Sequence, residues 1–283
     1  MELQERDCEI IRLVHRHRFL RSEQIIALLG DSRQQVLRRL QTLYHHGFLE
    51  RPRAQLRYYD PDVPRSIVYG LGRKGGTLLR QRFNLEVDPH SWSEQTHQVG
   101  RVYLEHALFV ADVMVAVETS CRKRGDVKLI QEEDINISRE KQPLPWRVTL
   151  HDGTKLGVVP DRVFALEYAG QNGQRERVFF FLEADRGTMP VKRHTLAQTS
   201  FYRKLLAYEA TWSQGVHKRL GMNRIRVLTV TTSAMRVKSL AQAASSLERG
   251  HGLFLFADKS ILSGDILSSL WQTAKPGEPR RLL

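Results

Sequence analysis

Between residues 97 and 121 the chain carries Val99, Val102, Leu104, Ala107, Leu108, Val110, Ala111, Val113, Met114, Ala116 and Val117, apolar round most of the circumference of one long helix. A surface helix keeps a polar face, so this one must be buried against other elements. Strand-like runs that can cover it follow at residues 127–131, 146–150, 156–159, 162–168 and 178–183. Helical spacing returns over 192–212 and 234–248, with further strand-like runs at 224–231 and 253–256. Such interleaving predicts an α/β domain with a central mixed sheet over residues 97–271. The last stretch, 272–283, has no period and is expected to be a mobile tail.

Residues 1–83 read as three helices and a hairpin. Ile10, Ile11, Leu13 and Val14 form an apolar stripe that Phe19 and Leu20 close. Ser22 can cap a short second helix that ends at Gly30, and Ser32 a third that ends at Gly47. That third helix turns Val36, Leu37, Leu40, Leu43 and Tyr44 inward and leaves Arg33, Gln34, Gln35, Arg38, Arg39, Gln41 and Thr42 outward. Two strand-like runs, 48–53 and 67–71, precede another helix. Residues 84–96 are polar and aperiodic, and are expected to link the two domains.

Charge narrows the partner. The chain has a net charge of +13; residues 1–83 hold 16 Lys+Arg against 9 Asp+Glu, and 15 of those cations are Arg. A concentrated arginine surface suits phosphate and guanine, so double-stranded DNA is the expected partner. No apolar run is long enough to span a bilayer, and the acidic, amphipathic start is unlike an export signal, which points to a cytoplasmic protein that does not enter membranes. Cys8 and Cys121 have no CxxC partner, so neither a cysteine zinc site nor a disulfide framework is expected. The G-x-x-x-x-G-K-[ST] phosphate loop of nucleotide enzymes is absent from the sequence.

The segments VLRRLQTLYHHGFLERPR and VYGLGRKGGTLL resemble the third helix and the wing exit of bacterial winged helix-turn-helix domains. Leu40, Leu43, Gly47, Phe48, Leu49 and Arg51 carry the first likeness, and Tyr69, Leu71 and Gly75 the second. The resemblance implies that the third helix enters the major groove with Arg33, Gln34, Gln35, Arg38 and Arg39 as DNA contacts, and that Arg53, Arg57 and Arg65 of the wing reach the backbone or minor groove. A protein-binding helix with a solvated charged face is the alternative.

In the second domain, acids stand at the ends of apolar strands, an expensive place without a partner. They are Asp161 in VVPDRVFAL, and Glu183 and Asp185 in VFFFLEADRGT. On neighbouring strands they would converge, giving the oxygen set that Mg²⁺ or Mn²⁺ accepts, with Asp161 and Glu183 as metal ligands. This order resembles the PD-(D/E)xK nuclease fold. Pro160-Asp161 matches its PD element, Glu183 its second acid, and Gln198 with Tyr202 the QxxxY motif of one branch. Asp185 stands where the motif has Lys, so a relocated cation is required; Lys192 and Arg193 are the preferred candidates, with Arg186 and Lys204 also within reach.

Over nearly its full length the chain resembles the replication-relaxation family of plasmid and integrative-element proteins. LEHALFVADVMVAV, VVPDRVFAL and FFLEADRGTMPVKR followed by KLLAY carry the likeness. It implies an N-terminal winged helix joined to a nuclease-like domain, and DNA binding on mobile elements during replication or relaxation; metal-dependent nicking is the expectation that the acids Asp161 and Glu183 add to it. The alternative is a non-catalytic accessory factor or transcriptional regulator whose second domain serves homodimerisation or contacts other replication or transfer proteins.

Overall fold

The computed structural model describes residues 2–58, 66–135, 146–170, 172–275 and 277–283. It forms two compact units, Met1–Val115 and Ala116–Leu283. The first begins with α1 (Glu5–His17), β1 (Phe19–Arg21), α2 (Ser22–Leu29) and α3 (Arg33–His45). There follow β2 (Leu49–Glu50), a 3₁₀ turn over Arg53–Tyr58, β3 (Val68–Leu71), α4 (Arg73–Phe83) and α5 (Pro89–Gln98). The three strands pair antiparallel in the order β1-β3-β2. Ile10, Ile11, Val14, Ile25, Leu28, Val36, Leu40, Leu43 and Leu49 fill the core.

Two glycines make the joint between α3 and α4. Gly47 ends α3 with φ of 76°, where a side chain would be strained. Gly75 lies so close to the Phe48 carbonyl that no Cβ would fit. Both motif glycines are therefore explained by geometry.

Two local expectations change. Phe19 and Leu20 leave α1 and form β1, because Arg18 turns the chain with φ of 68°. The polar stretch 84–96 is largely helical: the Asp88 side chain accepts the His90 amide and Pro89 occupies the first turn, so α5 is started by its cap and not by an apolar period.

The long helix α6 (Arg101–Arg124) contains the division between the units. The second unit continues with β4 (Val127–Ile130), β5 (Trp146–Thr149), β6 (Lys155–Val158), β7 (Arg162–Ala169) and β8 (Arg175–Asp185). It ends with α7 (Phe201–Ser213), α8 (Val216–Arg219), β9 (Ile225–Thr231), α9 (Ala234–Ser245), β10 (Phe254–Asp258) and β11 (Gln272–Thr273). Its six-stranded sheet has the order β11-β10-β9-β8-β7-β4. β8, β9 and β10 run parallel, while the remaining pairs are antiparallel, so the sheet is mixed as expected.

On one face of this sheet Phe179, Phe181, Val227, Phe254 and Phe256 share a core with Leu205 and Tyr208 of α7 and Leu240 of α9. The C-terminal stretch returns to the fold: Trp271 and Arg280 exchange backbone hydrogen bonds of 2.8 and 2.9 Å, and Leu282 is buried. The aperiodic stretch 272–283 is thus tied to the fold through Trp271 just before it. Among the described residues no helix is long and apolar enough to cross a membrane.

Candidate functional site

The outward side of α3 divides into tethered and free groups. Arg39 is tethered: its Nε donates to Asp7 Oδ1 at 2.8 Å and its Nη2 to Asp7 Oδ2. Asp7 is 0 % exposed and also accepts the Gln4 amide at 2.8 Å, so Arg39 is the counter-ion of a buried carboxylate. Arg39, expected from the sequence to contact DNA, is thus engaged with Asp7 in this structure. Arg33 pairs with Glu23, and Gln35 accepts Arg6 Nη1 at 3.2 Å; both contacts are exposed. Gln34 and Arg38 are exposed with no side-chain partner among the described residues. Arg53 is exposed on the 3₁₀ turn, whereas the Arg57 side chain and Arg65 lie outside the described residues.

The acids of the second unit meet at the carboxyl end of β8. Asp161 precedes β7, donates its amide to Leu182 O at 2.9 Å, and accepts the Ala184 amide on Oδ2 at 2.7 Å. These two bonds straddle Glu183 and place Asp161 opposite it across the antiparallel pair. Glu183 is 2 % exposed. Tyr208 donates to its Oε1 at 2.6 Å, and Lys204 Nζ to its Oε2 at 2.5 Å. Lys204 and Tyr208 are one turn apart on α7, so a single helix face supplies both.

Burial pushes the Glu183 carboxyl up to about 7, against the pull of Lys204, and the neighbouring charge of Asp161 adds to the rise. Burial pushes the Lys204 ammonium down, but Glu183, Asp161 and Asp185 together raise it on balance. The Tyr208 hydroxyl is raised well above its ordinary range, first by burial, and remains a donor.

Asp185 does something else. Its Oδ2 accepts Thr231 Oγ1 and Arg236 Nε, each at 2.8 Å, and its Oδ1 accepts Arg236 Nη2 and the Gly187 amide, each at 3.2 Å. Arg236 Nη2 also reaches the Met189 carbonyl at 2.5 Å. Asp185 thus pins the start of the segment after β8 to α9. Arg236 is itself largely buried, so Asp185→Ala should cost about 3–5 kcal/mol by stranding it. Chemical denaturation would show this, with a smaller loss in the Asp185→Ala/Arg236→Ala double variant; equal losses would contradict a coupled pair.

The other expected site residues lie apart from Glu183's hydrogen bonds. Helix α7 starts only at Phe201, its first amides held by the Pro190 and Val191 carbonyls, so Gln198 stays exposed in the preceding loop and does not share a helix with Tyr202. Lys192 hydrogen-bonds Ser246 at 3.0 Å and lies over the Tyr202 ring at 4.5 Å. The cation that reaches Glu183 is Lys204, from KLLAY. Its four-residue spacing from Tyr208 was the available signal.

Among the described residues no group of three or more His, Cys, Asp or Glu is arranged to hold a metal ion. Asp161 and Glu183 form a pair. A magnesium-like cation needs only one or two carboxylates when water and substrate phosphate complete its shell, so the pair fits such an ion.

A family model described as replication-relaxation matches residues 11–224. That span takes in most of the first unit and, in the second, Asp161, Glu183, Lys204 and Tyr208. Comparison with curated proteins and with solved structures finds no match.

Proposed function

The chain belongs to the replication-relaxation family, and from that premise we propose that it binds duplex DNA of a plasmid or other mobile element through α3 and nicks one strand at Asp161 and Glu183. Membership gives a role in replication and relaxation. Support for the DNA-binding part is the order α1-β1-α2-α3-β2-β3 with its three-stranded antiparallel sheet, which is compatible with a winged helix-turn-helix. The exposed residues of α3 supply its groove-facing side.

The observation that carries the cleavage reading is the set Asp161, Glu183 and Lys204, gathered where β7 and β8 meet. The set supports a PD-(D/E)xK reading in which the cation comes from α7 in place of position 185. Asp161 and Glu183 would hold Mg²⁺ or Mn²⁺, which supplies Lewis-acid stabilisation of the scissile phosphate and an activated water. Tyr208 and Lys204 fix both oxygens of Glu183. Lys204, half-buried, can turn a remaining N–H toward the charge that develops on the phosphate as the P–O bond breaks. In hydrolysis water adds across that bond, leaving one hydroxyl and one phosphate end.

A proton on Glu183 competes with a cation. With the carboxyl at about 7, apparent Mn²⁺ affinity should fall about tenfold per pH unit below that value and level off above it. Calorimetric titrations from pH 5.5 to 8.5 check the trend; affinity flat with pH would contradict it. The direct test of function is conversion of supercoiled plasmid to open circles in Mn²⁺, with Asp161→Asn and Glu183→Gln inactive.

One observation favours a second reading. Both Glu183 oxygens already have protein donors, so the site is satisfied without a ligand. The protein would then be a non-catalytic accessory factor or regulator, and metal would leave plasmid topology unchanged.

A further inference from the structure

The side of α3 opposite its buried Val36 and Leu43 carries a single ridge, Gln34, Arg38, Gln41 and His45, at spacings of four, three and four residues. Gln34, Arg38 and Gln41 are exposed and have no side-chain partner among the described residues. The cations on either flank are occupied, Arg33 with Glu23 and Arg39 with buried Asp7. No acid lies on α3. The first residues of this ridge are therefore amide and guanidinium groups, the types that contact adenine and guanine edges bidentately.

We propose that Gln34, Arg38 and Gln41 are the sequence-reading residues of this protein, Arg38 on a guanine and the two glutamines on adenines flanking it. The inference rests on the DNA-binding reading above and adds which bases are read. Four and three residues of helix advance about 6 and 4.5 Å. Base pairs follow every ~3.4 Å, so the adenines stand one to two steps on either side of the guanine. The tethered Arg39 is excluded from this readout, and Arg33 is left to contact a phosphate once it releases Glu23.

Selection of duplexes from a randomised pool by the full-length protein tests the assignment. The expected product is a guanine flanked within two steps by A·T pairs. Arg38→Ala should lose about ten- to hundredfold in affinity for the selected duplex but far less for a scrambled one, and should erase the guanine preference. Arg38→Lys, which keeps the charge but not the planar fork, should not restore the preference. Gln34→Ala and Gln41→Ala should each relax one flanking position. Since all three side chains are exposed, melting temperatures should stay at the wild-type value. Equal losses on selected and scrambled duplexes would make Arg38 a phosphate contact and overturn the proposal, as would selection of a site without the guanine. A wild-type chain that fails to retain any duplex at low salt would instead refute the underlying DNA-binding reading, and the proposal with it.

Discussion

Arg39→Ala should destabilise the first unit by about 3–5 kcal/mol, whereas Arg38→Ala, one residue away, should shift stability by less than about 0.5 kcal/mol. The contrast follows from Asp7. Its carboxylate is fully buried on α1, and removing the Arg39 guanidinium leaves that charge with only the Gln4 amide. Arg38 loses no partner, since none is present among the described residues. DNA binding should show the reverse order once stability is controlled: at a temperature where both variants are folded, Arg38→Ala weakens binding about tenfold or more and Arg39→Ala much less. Urea denaturation followed by anisotropy titration checks both halves. A stable Arg39→Ala variant with abolished binding would return Arg39 to the DNA surface.

The second large effect is expected at Lys204. Replacing it by alanine should lower Mn²⁺-dependent nicking about 10²–10³-fold, the usual loss for one donor aimed at developing charge. Lys204 also holds Glu183 toward its ionised form. Without the ammonium, burial and Asp161 act unopposed by a cation, so the Glu183 carboxyl moves further above 7 and the acid limb of the pH–rate profile shifts to higher pH. A general loss of fold would lower the rate without moving that limb. Lys192→Ala, whose ammonium is held by Ser246 and Tyr202, should leave both rate and profile near wild type. Equal losses in the two variants would contradict the assignment of Lys204.

Much of this architecture is written in local pattern. The alternation of strands and helices after α6 and the acids at strand ends follow from burial and periodicity, and the mixed sheet matches them, whereas Val102 in the first turn of α6 is 72 % exposed. Its limits are as specific. The three-residue strand β1 is too short to show a period, and α5 is announced only by Asp88 and Pro89. Periodicity placed Arg39 on the outer side of α3 but could not see Asp7 approaching from α1, 32 residues earlier. The choice of Lys204 over the preferred Lys192 as partner of Glu183 has a related reason. A helix read from residue 192 would carry Lys192 near Glu183, but Gly187, with φ of 74°, and Pro190 interrupt the chain after β8. With α7 beginning at Phe201, Lys204 and Tyr208 face the acid instead. Asp185, which sequence placed in the catalytic set, is taken up by Thr231 and Arg236 from elements more than forty residues downstream.

Crystals soaked in Mn²⁺ provide the most direct measurement, through the anomalous difference map around β7 and β8. The account predicts one peak between the carboxylates of Asp161 and Glu183, absent from crystals of Asp161→Asn. No peak at saturating Mn²⁺, with Glu183 still held by Lys204 and Tyr208, would contradict it.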